Sequence, residues 1–576
     1  MPYCADFETI VGENSTRVWA WAVIDIDSGN FVHGNSMGSF IKFCIRNPDD
    51  YYFHNLKFDG EFIISWLLNN GYKYNHKRRI KSKEFTAIIS DTGQWYSLTM
   101  RVNTKVKIKF FDSLKILPLS VAQIAKTFGL PIRKLKIDYT ADRDIGHELT
   151  QEEIDYIRND VTIVAAALKQ MFEQGLTSMT QASNAMHDYK KTIGNMAFKY
   201  WYPTLSYDLD AELRKSYKGG FTYLNPKYTE LDVKDGIVLD VNSLYPSVMY
   251  NEVLPYGIPY RYEGQYKYNK DFELYIQYFS CYFELKPNHI PTLQIKHSAF
   301  FKQNEYITSS HGRDYVLCMT NVDLELFLSH YNVYGMQYLY GYMFHGAKGM
   351  FKSYIDKWMD IKIKADIEGN TGLRQISKTM QNALYGRFGL NPNCTRKMPF
   401  LSDDGIVKYV KGEAETRNPV YLPMAAFITA YARRKTITSA QTVFDRFIYA
   451  DTDSLHLLGT DLPDLEIHDT KLGAWKHEST FDKARFVRQK CYIEHWTMHK
   501  NKQTDTNNIT CAGLPKNCIY ACKTYKVKKL KGNVWAINYK KIDFSNFHTG
   551  MRSFGKLIPK HVVGGIVLFP TDFTIK

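Results

Sequence analysis

Residues 447–459 read FIYADTDSLHLLG. The apolar arms Phe447–Ala450 and Leu455–Leu458 have strand character, and the Asp-Thr-Asp-Ser between them has turn character, so a tight β-hairpin is expected. Its tip then carries two carboxylates one residue apart, Asp451 and Asp453. Like charges this close repel, and each is driven toward protonation or full solvation. A bound divalent cation removes the conflict, because it takes several hard oxygen ligands at once. A solvated acidic turn meets the same spacing, so the remainder of the chain decides between the two.

The chain has 576 residues, more than a single hydrophobic core accommodates, and several domains are expected. Lys and Arg number 74 against 59 Asp and Glu, a net charge of +15 that suits a polyanionic partner. Aromatic residues make up 15%, with 42 Tyr, enough to supply both core packing and stacking surfaces for bases. The first residues, MPYCADFETI, lack the basic and apolar regions of a secretory signal, and no run of eighteen apolar residues suggests a membrane span. Nine scattered cysteines fit a reducing cytosol. Cys511, Cys518 and Cys522 are read as free thiols in preference to a zinc set, since no paired C-x-x-C and no fourth ligand accompany them.

Acidic residues fall into two sets. In the first, Asp6 and Glu8 lie on an expected strand, where residues two apart share a face. Asp59 follows in YYFHNLKFDGEFI, amid apolar residues. Tyr156 and Asp160 sit four apart on an expected helix opened by the capping box Thr150-Gln-Glu-Glu153 and stopped at Gly175. Four carboxylates and a tyrosine make a metal-dependent nuclease site possible. In the second set, Asp240 in LDVNSLYPSVM is delivered by a strand and joins Asp451 and Asp453. Ligands on rigid strands at two-metal spacing are what phosphoryl transfer requires.

A helical pair is expected over 353–388, joined through Glu368-Gly-Asn-Thr-Gly372. On its second member Arg374, Lys378, Asn382 and Tyr385 share one face, ending at Tyr385-Gly386, while Ile376, Met380, Ala383 and Leu384 fall largely elsewhere. Such a stripe suits a triphosphate at one end and a base at the other. The polar run TSMTQASNAMHD reads as a domain boundary, and 252–350 as Tyr-rich and irregular. Asp403-Asp-Gly405 is a hairpin turn signal within 390–419, and PMAAFITAYARRKTITSAQTVF reads as a helix. The lysine-dense KTYKVKKLKGNVWAINYKK is either a solvated face or a grip on phosphates.

Taken together these motifs resemble the family-B DNA polymerases, and within them the protein-primed polymerases of small tailed bacteriophages (the phi-twenty-nine type). DVNSLYP resembles motif A, KTMQNALYG motif B and YADTDS motif C; Asp6-x-Glu8, Asn55-x3-Asp59 and Tyr156-x3-Asp160 resemble three exonuclease motifs. SYKGGF, with Tyr217, Gly219 and Gly220, is similar to the segment coupling synthesis to proofreading, and Lys490-Cys-Tyr492 to a primer-contacting Lys-x-Tyr. The resemblance runs almost end to end.

It implies an α/β multidomain chain: an RNase H-like 3′–5′ exonuclease domain (1–180) and a right-hand polymerase. The latter divides into palm (181–251 and 420–523), fingers (354–389) and thumb (524–576), with terminal-protein-region insertions at 252–353 and 390–419. Two magnesium ions per active site are implied, with manganese as a substitute. Asp240, Asp453 and the Val241 carbonyl would hold one pair, with Asp451 close by; Asp6, Glu8, Asp59 and Asp160 would hold the other, beside Tyr156. Lys362, Arg374 and Lys378 would neutralise the triphosphate, although the family often has Lys where Arg374 stands. Tyr245 would exclude a 2′-hydroxyl and Tyr385 would meet the nascent base pair. Thr9, His54, Asn55, Phe58, Phe62, Ser113 and Leu114 match positions that hold a single-stranded 3′ end; Lys134 fits the exonuclease lysine, with Lys136 as the alternative. Implied partners are primer-template and single-stranded DNA, dNTPs and a terminal protein that supplies the priming hydroxyl. The implied state is a monomer or a heterodimer with that protein, in the cytoplasm of an infected bacterial host.

Overall fold

The computed structural model describes residues 2–77, 79–138, 141, 143–294, 306–516, 518–529 and 532–576, the backbone alone over 523–529 and 532–539. Its N-terminal half is organised around Tyr3–Thr9, which runs antiparallel to Val18–Asp25 on one side and parallel to Asp50–Phe53 on the other. Asp50–Phe53 in turn runs parallel to Lys107–Asp112, and the sheet grows to eight strands. Val18–Asp25 is buried along its whole length, as a near-continuous apolar run requires when both faces of a sheet are covered. Strand alternation sorts its neighbours: Cys4, Ala20 and Ala22 pack with Ile157, Val161 and Val164 of helix Gln151–Glu173. Ala5, Phe7, Trp21 and Val23 pack with Phe40, Phe62 and Ile63, from helices Met37–Arg46 and Leu56–Asn69.

A second sheet has seven strands in the order Lys502–Cys511, Cys491–His499, Trp475–Arg488, Asp232–Val241, Ser454–Leu458, Phe447–Asp451, Thr222–Leu224. The hairpin at 447–459 is therefore interior to a sheet, with its arms buried as its apolar residues demand. Behind it lies Leu422–Thr442, buried along most of its length, its first half apolar all round and its second half carrying Arg433, Arg434 and Lys435.

Residues 252–350 are more regular than expected. Val253–Glu263, Tyr331–Lys348, Leu274–Leu285 and Tyr315–Thr320 form a four-stranded sheet with helix Asn321–His330 against it. The overlooked signal is the two-residue spacing of Tyr338, Tyr340 and Tyr342, since tyrosine is a strand former that stacks across a sheet; Tyr340 lies 4.5 Å from Tyr278. The polar run read as a domain boundary is ordered. Thr180 caps helix Gln181–Ile193, whose buried Asp188 accepts from Lys357 Nζ (2.7 Å) and Trp358 Nε1 (2.9 Å). The end of the run is therefore tied to the helix pair.

The helical pair forms as Lys352–Ile367 and Thr371–Phe388, the second running past Tyr385 to Phe388. Asn393–Leu401 and Val407–Thr416 pair as a two-stranded hairpin turning at Gly405 (φ 74°). A last sheet joins Gly532–Lys541, Tyr520–Lys529, Arg552–Val562 and Gly565–Thr574. The lysine side chains expected to grip phosphates lie for the most part outside the described residues. All nine cysteines are free, and Cys511 stands 3.3 Å from Cys491, sulfur to sulfur, a pairing the sequence reading missed. Among the described residues no helix is long and apolar enough to cross a membrane.

Candidate active sites

Strand pairing builds the first site. Asp240 stands opposite Ser454, and the Val241 N–H donates to the Asp453 carbonyl at 2.8 Å, so the strand carboxylate and the hairpin tip are held side by side. The turn needs a left-handed residue at Thr452 (φ 61°), whose N–H donates to Phe221 O at 2.6 Å. Close approach explains Gly220: a Cβ there would meet Thr452 Oγ1 at 2.8 Å and the Tyr245 hydroxyl at 3.1 Å. The Gly219 and Lys218 carbonyls accept from Arg433 at 2.7 Å, and Arg433 is itself locked to buried Asp323. Tyr217 packs its ring where a side chain on Gly389 would otherwise stand.

Each carboxylate answers its neighbours. Burial, with Asp240 and Asp451 nearby, pushes the Asp453 carboxyl up to about 6. Burial also raises Asp240, against the pull of Lys476, whose Nζ lies 3.0 Å away. Asp451 accepts from Thr222 Oγ1 (3.0 Å), from the Tyr449 hydroxyl (3.3 Å) and from Lys490 Nζ (2.7 and 2.8 Å). Lys490 is fixed in turn by its backbone N–H, which donates to Tyr449 at 3.0 Å. Tyr492 packs beneath, 5.4 Å from Tyr449 and 5.1 Å from His456, and His456 is bound to buried Glu494 at 2.6 Å. The helix pair supplies the opposing charge. Burial, and after it the charges of Arg374, Lys378 and Lys476, lower the Lys362 ammonium's pKa. Arg374 is paired with Asp366 at 2.6 Å, and Asn382 donates to its own helix at Lys378 O. Tyr385 stacks on Tyr245 with ring centres 4.0 Å apart.

The second site assembles around Asp6 and Glu8. Burial first, then the mutual repulsion of Asp6, Glu8 and Asp160, drives the Asp6 carboxyl up to about 7 and Glu8 well above its ordinary range. Asp59, in the first turn of Leu56–Asn69, is raised by burial and by Asp6. The capping box forms as expected and sets the helix that carries Tyr156 and Asp160. Of the two candidate lysines, both exposed, Lys134 is the one that pairs with Asp160, its ammonium 5.4 Å from the Tyr156 ring centre. Asn55 takes a left-handed backbone (φ 84°), its N–H donating to Asp112 at 3.1 Å. His54 is bound to Ser113 Oγ (3.0 Å) and Leu119 O (2.7 Å), so His54 and Ser113 are tied into the frame of the pocket. Phe58 and Phe62 lie 5.5 Å apart, and Phe62 also packs against Gly565 of the last sheet. Leu114 donates its N–H to Asp112, and Thr9 ends the first strand.

Both donor sets suit hard divalent cations. They are oxygen-only, their carboxylates repel one another, and Asp59 and Asp160 each keep a buried Oδ1 without a partner in this structure. Among the described residues no three such side chains stand drawn together as a finished cage. Lysines instead balance the charge, at Asp160, Asp240 and Asp451. Sequence reasoning had no local signal for Lys476, Thr222 or the Arg433–Asp323 lock, because each meets its partner only through long-range strand or helix packing.

Residues 42–148 and 140–472 match the family described as DNA polymerase type B, organellar and viral, and the chain belongs to that family of DNA polymerases. Its relatives there include the DNA polymerase of Bacillus phage PZA, 44% identical over 593 residues, and that of Bacillus phage phi29, 43% identical over 593; each alignment spans 100% of this chain and 99% of the relative. The DNA polymerase of Streptococcus phage Cp-1 is 33% identical over 598 residues, 100% of this chain and 98% of its own. Phi29 DNA polymerase complexed with primer-template DNA and incoming nucleotides matches with a TM-score of 0.91 at 42% identity, and its single-stranded DNA complex with 0.90 at 40%, each over 100% of both chains.

Proposed function

We propose that this DNA polymerase is replicative and protein-primed, with a 3′–5′ proofreading exonuclease and the ability to displace a strand ahead of it. The carrying observation is the register that seats Asp240 beside the Asp451–Asp453 tip beneath a cationic helix. The domain reading follows the sheets. An RNase H-like exonuclease domain (1–180) is supported by the antiparallel-then-parallel sheet, and a palm (181–251, 420–523) by the seven-stranded sheet. Fingers (354–389), thumb (524–576) and insertions at 252–353 and 390–419 complete it.

In the polymerase site Asp240, Asp453 and the Val241 carbonyl would hold two magnesium ions, with Asp451 close by. When bound, these ions would stabilise the entering and departing oxygens of nucleotidyl transfer. Lys362, Arg374 and Lys378 neutralise the triphosphate, Arg374 first leaving Asp366. Tyr245, braced by Tyr385, closes the space over the sugar, and Tyr385 faces the nascent base pair alongside Asn382. Lys490 and Tyr492 position the primer end, and Tyr217, Gly219 and Gly220 guide it between sites. In the nuclease site Asp6, Glu8, Asp59 and Asp160 are the metal ligands, Tyr156 and Lys134 orient the attacking water, and Thr9, His54, Asn55, Phe58, Phe62, Ser113 and Leu114 shape the cleft for the unpaired 3′ end. DNA, dNTPs and a terminal protein are the partners, in the cytoplasm of an infected bacterium.

Primer extension by Asp453→Ala tests the first site: synthesis should fall to background, and near-normal synthesis removes Asp453 from the chemistry. Asp6→Ala with Glu8→Ala should stop degradation of single-stranded DNA while synthesis continues. Transfer of labelled nucleotide to a hydroxyl of the terminal protein tests the priming mode, and strict dependence on a nucleic-acid primer overturns it.

A further inference from the structure

Lys476 enters the polymerase site from the sheet, as Lys490 does, whereas Lys362, Arg374 and Lys378 come from the helix pair. In the pairing of Asp232–Val241 with Trp475–Arg488 it is the direct partner of Asp240. Its Nζ stands 3.0 Å from Asp240 Oδ2 and 3.5 Å from Glu478 Oε2, and its side chain is 31% exposed. Glu478 is the extra residue of a bulge in Trp475–Arg488, where the pairing passes from His477 to Ser479, and its carboxylate turns to the same ammonium. Lys500 approaches Glu478 at 3.7 Å and leaves that carboxylate shared between two ammonium groups.

We infer that Lys476 is a positioning residue for the polymerase reaction: it holds Asp240 before a divalent cation arrives and competes with that cation for the carboxylate. The inference rests on the reading of Asp240 as a metal ligand. Without a counter-charge, Asp240 would have only repulsion from the neighbouring hairpin carboxylates to place it. The ammonium gives it a fixed partner, at the cost of occupying an oxygen that a metal needs. A cation entering beside Asp240 repels the ammonium, whose next acceptor, Glu478, already lies within reach. Lys476 therefore has two stations, one for the empty site and one for the loaded site, and the difference between them sets the metal concentration at which the site fills.

The test uses the full chain carrying Asp6→Ala and Glu8→Ala, so that the nuclease site does not contribute. Manganese binding is followed by electron paramagnetic resonance of the free ion, without DNA or nucleotide. Lys476→Met should bind manganese several-fold more tightly, Lys476→Arg should stay near the parent, and Glu478→Gln, which removes the second station, should bind severalfold more weakly. Opposite shifts for neighbouring residues are a signature that general loosening of the sheet cannot produce. In steady state, the magnesium needed for half-activation should move in the same directions, with a smaller change in kcat at saturating metal. Equal affinities for parent and Lys476→Met, or shifts of the same sign in both variants, overturn the role of Lys476. If Asp240→Asn binds manganese as the parent does, the metal-ligand reading fails instead, and the inference with it.

Discussion

Single side chains decide what the two pockets accept. The Tyr245 ring is sandwiched by Tyr385 at 4.0 Å and its hydroxyl stands over Gly220, so it cannot yield without breaking both contacts. Tyr245→Val should therefore admit ribonucleotides, with discrimination against them falling by roughly tenfold or more in competitive incorporation, since a site that rejects an extra hydroxyl by bulk loses that power when the bulk goes. Lys134 makes a sharper case because the sequence offered two lysines. The Lys134 ammonium meets Asp160 and Tyr156, although its side chain, like that of Lys136, is exposed. Lys134→Ala should slow release of nucleotides from single-stranded DNA by about a hundredfold, the scale of a positioned acid–base group. Lys136→Ala should stay within about twofold, because a surface charge contributes little to chemistry it does not touch.

At the scale of elements, the structure repeats what local pattern can carry and departs where pattern is long-range. The capping box at Thr150, the stripe Arg374–Lys378–Asn382–Tyr385 and the 447–459 hairpin were legible because their period lies within a dozen residues. The sheet within 252–350 was not: Val253–Glu263 pairs with Tyr331–Lys348 across a stretch that itself holds Leu274–Leu285, Tyr315–Thr320 and Asn321–His330, and Gly335, Gly341 and Gly346 interrupt the run. Of the sites, the carboxylates were legible and the resemblance supplied Lys134 and Lys490, but Lys476 was not legible, since it meets Asp240 only through strand register. Two predictions belong here. Thr150→Ala removes a cap that orders the helix bearing Asp160 and should cost about 1 kcal/mol in unfolding of the N-terminal sheet. His330 closes Asn321–His330, buried and bonded to Ile290 O at 2.7 Å, and burial holds its imidazole down at about 4. The unfolded imidazole binds a proton near 6.5, so as pH falls from there toward 4 the unfolded state takes up a proton that the native state refuses. Stability is thus full above 6.5 and declines by roughly 3 kcal/mol toward pH 4. Hydrogen exchange in this sheet should accelerate over that window, and His330→Gln should flatten the dependence.

At the scale of the whole molecule, one helix joins elements far apart in the chain. Leu56–Asn69 carries Asp59, Phe58 and Phe62 into the Asp6–Glu8 pocket, and its other residues receive two distant elements. Val407 from the hairpin insert and Ile566 from the last sheet, each 2% exposed, join the core on this side of the N-terminal sheet. Glu61, itself 3% exposed, accepts from the Tyr409 hydroxyl at 2.7 Å through one oxygen and meets His561 Nε2 at 3.1 Å through the other. A two-stranded hairpin is marginal by itself, so the insert depends on such anchors for its position. If insert and last sheet close around DNA, Glu61 is the clasp of that ring. Glu61→Ala strands two polar groups at a buried junction, a loss of about 1–3 kcal/mol. On a long primed template with a trap for released enzyme, the run length per encounter should drop severalfold, while addition of the first nucleotide stays within about twofold. Tyr409→Phe should give part of that loss, and the double variant less than the sum, because both act through one contact. Additive losses would mean that the hairpin and the helix are joined elsewhere, and unchanged run lengths would mean that the ring closes without them.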